Sequence, residues 1–379
     1  MKKNTFFCLI FAFLTTISCK KTDVNNTTSP TNIALVPGTT STNNVFASYT
    51  YSTVYIKKDG SLWTFGKGEF IGRDPAVTIL TPQQVGVDKD WQSVSTGHAT
   101  FAIKSDGTLW FWGTKDRVGR TGNNLIPAKV NEDKDWVSVY WAPNEFTLAI
   151  KKDGSLWGCG KGGFTDGTSY FLDGTTTDRP LISRVGTDVD WQKISVFGAR
   201  IFLIKKDGSV WGWGFPNIDL FGVLDTKSKL VKVLPGNDWV DVAVRTNGAV
   251  ALKKDGTLWQ WGAGRTSQQV QQVGTDTDWV RIIAKTALYN EMYALKKDGS
   301  LWYDVGVSGP PVSFFKLDTY NAGDTYDSIY ALGSGMVAKR AGKDEYCSYG
   351  LSNIASDYVF KYGGNVLISD AVTGKCASL

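Results

Sequence analysis

Lys58-Asp59-Gly60-Ser61-Leu62-Trp63 recurs with small changes as Ser105-Asp106-Gly107-Thr108-Leu109-Trp110 and as Lys152-Asp153-Gly154-Ser155-Leu156-Trp157. The unit returns at Gly208 with Trp211, at Gly256 with Trp259 and at Gly299 with Trp302, and a degenerate copy sits at Arg340-Ala341-Gly342. Its spacing of roughly 43 to 54 residues is the signature of a propeller or a solenoid. Asp-Gly between two alternating runs is a hairpin signal, because a type I′ turn needs positive φ at both central residues. That turn sets Ile103 opposite Trp110 and Phe101 opposite Trp112, one aromatic-aliphatic face, with Ala102 and Leu109 on the other. Both faces are apolar, so each sheet must be sandwiched between neighbours, which radial repetition achieves with only short protected edges.

Working outward, an Asp-Trp pair precedes the turn glycine by about 17 residues in five copies (Trp91, Trp136, Trp191, Trp239 and Trp279), and Tyr326 and Tyr358 stand in its place later. Of the 15 tryptophans, only Trp141 falls outside the repeat. A blade then has four strands: Gln92 to Ser95, Phe101 to Lys104, Leu109 to Trp112, and a last stretch such as Ala128 to Val130. A Val-Gly-x-Asp-x-Asp-Trp link opens the next blade. The fold class is all-β, a β-propeller of seven blades of four antiparallel strands. Closure has two readings: the tail from Tyr358 to Leu379 adds strands to the first blade, or it forms a short eighth blade. Replacing Trp110 or Trp211 by Ala should cost about 3–5 kcal/mol.

The pattern resembles the repeats of the regulator of chromosome condensation family, seven-bladed propellers whose blades read apolar-Lys-x-Asp-Gly-x-Leu-x-x-Trp-Gly. Trp112-Gly113, Trp213-Gly214 and Trp261-Gly262 match its end, and the likeness runs from Asn44 to about Tyr349. The family's Gly-x-x-His is represented only by Gly97-His98.

Upstream of the repeats, Met1-Lys2-Lys3 and the apolar run from Phe6 to Ile17 have the form of a secretory signal, with about 12 apolar positions, too few to span a bilayer. Thr16-Ile17-Ser18-Cys19 resembles a bacterial lipoprotein processing site, with Cys19 as the lipid attachment point. Lys20 to Asn43 is rich in Thr, Asn, Ser and Pro and reads as a flexible tether. The organisation expected is therefore a signal at 1–18, a tether at 19–43 and the propeller at 44–379. The mature protein is expected to be exported and held at the bacterial cell envelope, on the outer membrane or the cell surface, touching membrane only through its lipid.

Forty-one basic against 36 acidic residues leave a formal charge of +5. The lysines recur at one hairpin position instead of forming a stripe, which argues against nucleic acid as a partner. One histidine and no Cys-x-x-Cys spacing argue against a metal site, and no cofactor is expected. His98 has no companion signature for nucleophilic catalysis, so the chain is read as a non-enzyme. Asp166 and Asp173, an example of paired carboxylates in the longest insertion, read as Asp-Gly turns. Cys347 and Cys376 either form a disulfide or remain separate packed thiols.

Alternating strand direction puts the Asp-Gly turns and the inter-blade links on one rim. Lys57, Lys58, Lys151, Lys152, Lys205, Lys206, Lys253, Lys254, Lys296 and Lys297 form a collar there, read as a solvated edge. The opposite rim carries connections that differ from blade to blade, where binding residues tend to sit. Tyr140, Trp141, Asn144, Phe197, Arg200, Arg245, Tyr289 and Asn290 are the partner-binding candidates, aromatics and arginines being frequent interface anchors. Trp141 leads them.

Three functions follow in falling order. The first is a monomeric, envelope-anchored propeller that binds a protein partner through the variable rim, as resemblance to a secreted β-lactamase-inhibiting member of this repeat class implies. The second is a glycan-binding or glycan-cleaving surface protein. Guanine-nucleotide exchange, implied by the nuclear members, conflicts with export.

Overall fold

The computed structural model describes residues 45–49, 52–68, 78–97, 99–113, 124–142, 146–163, 171, 174–197, 200–214, 230–245, 248–262, 270–284, 291–304, 313–317, 323–331, 336–343, 345–349 and 376–378. The proposed signal and tether, Tyr358 and the candidates Asn144, Tyr289 and Asn290 lie outside these.

The described residues form seven four-stranded antiparallel sheets, at 46–84, 91–129, 136–185, 191–232, 239–273, 279–316 and 326–378. In each sheet the strands lie side by side in chain order. The second blade shows the plan: Trp91–Thr96, Ala99–Lys104, Leu109–Gly113 and Asn124–Lys129. Fourth strands are the least buried and contain Pro82, Pro127 and Pro180. Proline lacks the N–H that an edge would offer to another chain, so it suits the outermost position.

The hairpin register differs by one residue from the two-residue turn expected above. Ile103 pairs with Leu109, Ala102 with Trp110, Phe101 with Phe111 and Thr100 with Trp112. The loop has three residues: Gly107 N–H donates to the Lys104 carbonyl at 2.9 Å, and Lys104 N–H to the Thr108 carbonyl at 3.0 Å. This is a type I turn closed by a glycine bulge, so only Gly107, at φ 79°, is left-handed. A one-residue slip exchanges the faces of a strand. One face of the second blade is therefore Ile, Leu and Phe, and the other is Ala and Trp.

That asymmetry makes the ring a head-to-tail stack. Phe101, Ile103, Leu109 and Phe111 pack on Trp136, Ala149 and Cys159 of the third blade, while Ala102 and Trp112 pack back on Ile56 and Leu62 of the first. Equivalent clusters fill the following junctions. The seventh cluster joins Phe46, Tyr55 and Phe65 of the first blade to Val337 and Tyr346 of the last, with Phe46 and Tyr346 ring centroids 5.1 Å apart.

Closure thus follows neither reading of the tail. The first blade supplies all four of its own strands, and Cys376–Ser378 pairs with Glu345–Tyr349 as the fourth strand of the seventh blade. The degenerate seventh copy lacked a fourth strand before the tail, and the tail provides it. Cys347 lies opposite Cys376 in that ladder and is disulfide-bonded, whereas Cys159 is buried and takes part in no disulfide.

The buried tryptophans are also distributed differently from expectation. Trp112 and Trp213 are fully buried, but Trp63, Trp110, Trp157, Trp211, Trp259 and Trp302 are only half-buried. The 3–5 kcal/mol expected for Trp110 or Trp211 belongs to Trp112 and Trp213, whose removal leaves a cavity that the packed junction cannot refill.

Candidate functional site: two rims and an axis

The Asp-Gly rim is assembled from one device. Asp106 Oδ1 accepts from the backbone N–H of Thr108 at 3.0 Å and from its hydroxyl at 2.6 Å, and Thr108 Oγ1 in turn accepts from the Trp110 indole at 2.8 Å. The same relay runs from Asp59 through Ser61 to Trp63, from Asp153 to Trp157, from Asp207 to Trp211, from Asp255 to Trp259 and from Asp298 to Trp302. Hydroxyl and backbone hydrogen bonds hold the Asp106, Asp153 and Asp207 carboxyls below the ordinary aspartate value.

The turn glycine is also the contact with the next blade. Trp136 N–H donates to the Gly107 carbonyl at 3.1 Å, and Ser105 N–H to the Asp90 carbonyl at 2.8 Å. A Cβ on Gly107 would stand 2.2 Å from the Lys134 carbonyl oxygen. Gly60, Gly154, Gly208, Gly256 and Gly299 are pressed against the next link in the same way.

The lysine collar is not a uniform solvated edge. Lys104 is buried between the rings of Trp91 and Trp110, with its ammonium 4.7 Å from each centroid, 2.7 Å from Asp88 and 3.0 Å from Asp90. Lys151, Lys205 and Lys296 repeat this arrangement with Asp133 and Asp135, Asp188 and Asp190, and Asp276 and Asp278. Lys253 keeps the two rings but only Asp238, because Gly236 stands where the other links have Asp. In the seventh blade Arg340 takes the place of the lysine, between Asp324 and Glu345. Burial pushes the ammonium groups of Lys104, Lys151, Lys205 and Lys296 down, but the paired carboxylates outweigh it and leave each above the ordinary lysine value. The second lysines, Lys58, Lys152, Lys206, Lys254 and Lys297, are exposed as expected. The signal for the pin was present: Asp-x-Asp-Trp and Lys-x-Asp-Gly occur in the same blades.

The opposite rim carries connections of unequal length, at 114–123 in the second blade, 161–178 in the third, 215–230 in the fourth and 263–270 in the fifth. The candidates closest to it turn out to be scaffold. Trp141 is only 4% exposed; its backbone N–H donates to Ser95 Oγ at 2.8 Å, and its ring meets Tyr49 edge-on at 4.9 Å. A Cβ on Gly97 would stand 2.0 Å from that ring, so glycine there makes room for it. Trp141 wedges three blades together and is not an exposed anchor. Tyr140 donates its hydroxyl to the Val196 carbonyl at 3.2 Å, and burial pushes that hydroxyl up to about 12.

Arg245 is likewise buried, paired with Asp304 of the next blade at 2.7 Å, so the expectation of a partner-binding arginine is corrected to an inter-blade tie. Phe197 ends the first strand of the fourth blade opposite Arg200. Arg200 is half-buried, burial lowers its guanidinium below the ordinary arginine value, and its Nε finds no hydrogen-bond partner among the described residues.

First strands meet around the axis. Ser95 reaches the third blade, Tyr140 the fourth, and Lys193 the fifth through Asp241 at 2.6 Å. In blades two to seven a β-bulge after the opening aromatic leaves one residue of the first strand without a cross-strand partner. Bulges re-aim side chains. The residues that follow them are Ser93, Ser138, Lys193, Asp241, Arg281 and Ser328, a polar belt that sequence reasoning missed. The charges of three successive blades, unlike the repeat around them, were its signal.

No protein-family model matches the sequence, and no curated protein matches it. Among solved structures, human WBSCR16 superposes with a TM-score of 0.63 at 16% identity, covering 77% of this chain and 85% of that one. Yeast RCC1 (Prp20), in its complex with Kap60, gives a TM-score of 0.63 at 16% identity over 91% of this chain and 85% of that one. Prp20p of Saccharomyces cerevisiae, from a study of its binding to Gsp1p and histones, gives 0.60 at 16% identity over 82% and 83%. Likeness at this identity speaks to architecture: the chain has the fold of an RCC1-like propeller.

Proposed function

We propose that the chain is a non-catalytic binding propeller, exported and tethered through a lipid on Cys19, whose variable rim captures a protein partner. One observation carries this reading. The repeating rim spends its Asp, Lys, Trp and Gly residues on holding blades together, whereas the other rim varies from blade to blade on the same rigid base. The acids that might do chemistry on the Asp-Gly rim are occupied by turn hydroxyls and lysine ammonium groups, which favours binding over catalysis. The RCC1-like neighbours include a structure bound to Kap60, a precedent for protein recognition on this architecture. Tethering rests on the Thr16-Ile17-Ser18-Cys19 stretch.

Lysine-directed cross-linking at the surface of producing cells, read by mass spectrometry, tests the rim assignment. Partner peptides should be joined to Lys115, Lys227 or Lys229 of the variable rim and not to Lys58, Lys152, Lys206, Lys254 or Lys297. Links concentrated on the second set would overturn it. Loss of metabolic fatty-acid labelling in Cys19→Ala is the matching check on the tether; unchanged labelling contradicts it. Binding on a glycan array, with no cross-linked protein, would favour the alternative.

A further inference from the structure

One position of the third strand carries an aromatic ring in four of the first five blades. Phe65 lies opposite Thr53, Trp112 opposite Thr100, Trp213 opposite Ile201 and Trp261 opposite Ala249, each at the same place in its hairpin. The third blade has Cys159 there, opposite Thr147. In the sixth the place belongs to Asp304, which is paired with Arg245.

The outer strand makes room for a large side chain at this point. In the first blade Thr64 pairs with Gln83 and Gly66 with Ile79, so three outer residues pass the single Phe65. Trp112 is passed by three in the same way, between Phe111 with Ala128 and Gly113 with Asn124. The third blade keeps this detour, for Pro180, Leu181 and Ile182 pass Cys159 between Gly158 with Ser183 and Gly160 with Arg179. A thiol does not fill what a ring fills. A cavity of about 160 Å³ lies here, lined by Phe101 and Phe111 of the second blade, Val130 and Asn131 of the link, and Cys159 with the detour of the third. Phe101, Phe111 and Cys159 are buried at its floor, and Leu181, 66% exposed, stands at its mouth.

The lining is suited to a neutral ligand. Asn131 is the one amide among the lining residues, and it is turned to its own link: it donates to Asp133 at 2.7 Å, and accepts from the Asp133 backbone N–H at 3.2 Å and the Trp136 indole at 3.3 Å. An ion would lose its hydration here without gaining a partner. Size narrows the choice further, since an apolar cavity of about 150 Å³ walled by Leu, Ile and Phe takes up benzene. Phe101 and Phe111 stand where the first blade has Val54 and Thr64, so part of the room that an indole would need is already taken.

We infer that the junction of the second and third blades binds one small, neutral, single-ring aromatic molecule in the space beside Cys159, entering past Leu181. The site is independent of the variable rim and of the partner proposed for it.

NMR on the methyl-labelled full chain, with calorimetry for affinity, would compare benzene with benzoate. Benzene should saturate one site per chain and give nuclear Overhauser contacts to the methyl groups of Leu181 and Ile182. Benzoate, the same ring with a charge that the lining cannot pair, should bind at least about tenfold more weakly. Cys159→Trp and Cys159→Phe introduce the residues found at this position in the second and first blades, and each should weaken benzene binding at least about tenfold. Cys159→Phe, the smaller change, decides if Cys159→Trp does not fold, and the methyl contacts of the parent chain need neither variant. No saturable binding of benzene, benzoate binding as tight as benzene, contacts confined to other methyl groups, or undiminished affinity in Cys159→Phe would each overturn the site.

Discussion

The two rims of this propeller use charged and aromatic residues in opposite ways. On the Asp-Gly rim, residues that look like surface decoration are joints: Lys104 lies between two indoles and two carboxylates, and Gly107 carries the backbone bond to the next blade. On the opposite rim, residues that look like binding anchors sit below the surface, as Trp141 and Arg245 do. A repeating rim is repetitive because every blade must meet its neighbour in the same way. A varying rim is free to vary because its base is already fixed.

The largest test of that contrast lies in the core beneath both rims. Trp112→Ala or Trp213→Ala should lower unfolding free energy by about 3–5 kcal/mol in urea melts, and Trp110→Ala or Trp211→Ala by clearly less. Equal losses would mean that the half-buried set carries the packing after all. Arg245→Ala should rank with the first group, at about 3–5 kcal/mol, since it leaves Asp304 buried without its partner charge.

Next comes Gly107→Ala. Its left-handed φ and the carbonyl 2.2 Å from the added methyl should together cost about 2–5 kcal/mol. Gly86→Ala meets nothing within 4 Å and faces only its φ of 64°, so it should cost about 1 kcal/mol. Thermal denaturation of the two variants side by side separates close approach from backbone strain.

Smaller still is the lysine pin. Lys104→Met should cost about 1–2 kcal/mol, from two ring contacts and a partly exposed ion pair, while Lys152→Ala should fall within about 0.5 kcal/mol of the parent. Acidity gives the same contrast a sign. Lys104, Lys151, Lys205 and Lys296 have raised values, so their stabilisation is complete below the unfolded lysine value near 10.5 and is lost as pH climbs through the folded value. Asp106, Asp153 and Asp207 have lowered values, so theirs is complete above the unfolded value near 3.9 and is lost as pH falls through the folded value. Melting temperature should hold a plateau between about pH 4 and 10, and Lys104→Met should flatten its alkaline edge.

The repeat was legible in the sequence because its causes are local. Asp-Gly-Ser-Leu-Trp contains its turn, its relay and its cross-strand neighbours within a few residues. The register was not, since Asp-Gly serves a two-residue loop and a bulged three-residue loop alike, and only the Gly107 to Lys104 bond separates them. Lys151, Lys205 and Lys296 were read as solvated because their carboxylates arrive from the preceding link, and Arg245 as a surface anchor because Asp304 lies 59 residues away. Trp141 drew attention as the one tryptophan outside the repeat, but the space that Gly97 leaves for its ring is a property of two blades together. The axial belt depends on bulges in six first strands, which no single strand announces.

Amide hydrogen exchange on the Asp-Gly rim tests the account most directly. The backbone N–H groups of Trp136, Trp191, Trp239 and Trp279 should be as well protected as those in the middle of second strands, because each donates to the turn-glycine carbonyl of the preceding blade. Exchange at the rate of open surface turns would contradict a rim built as the joint of the ring.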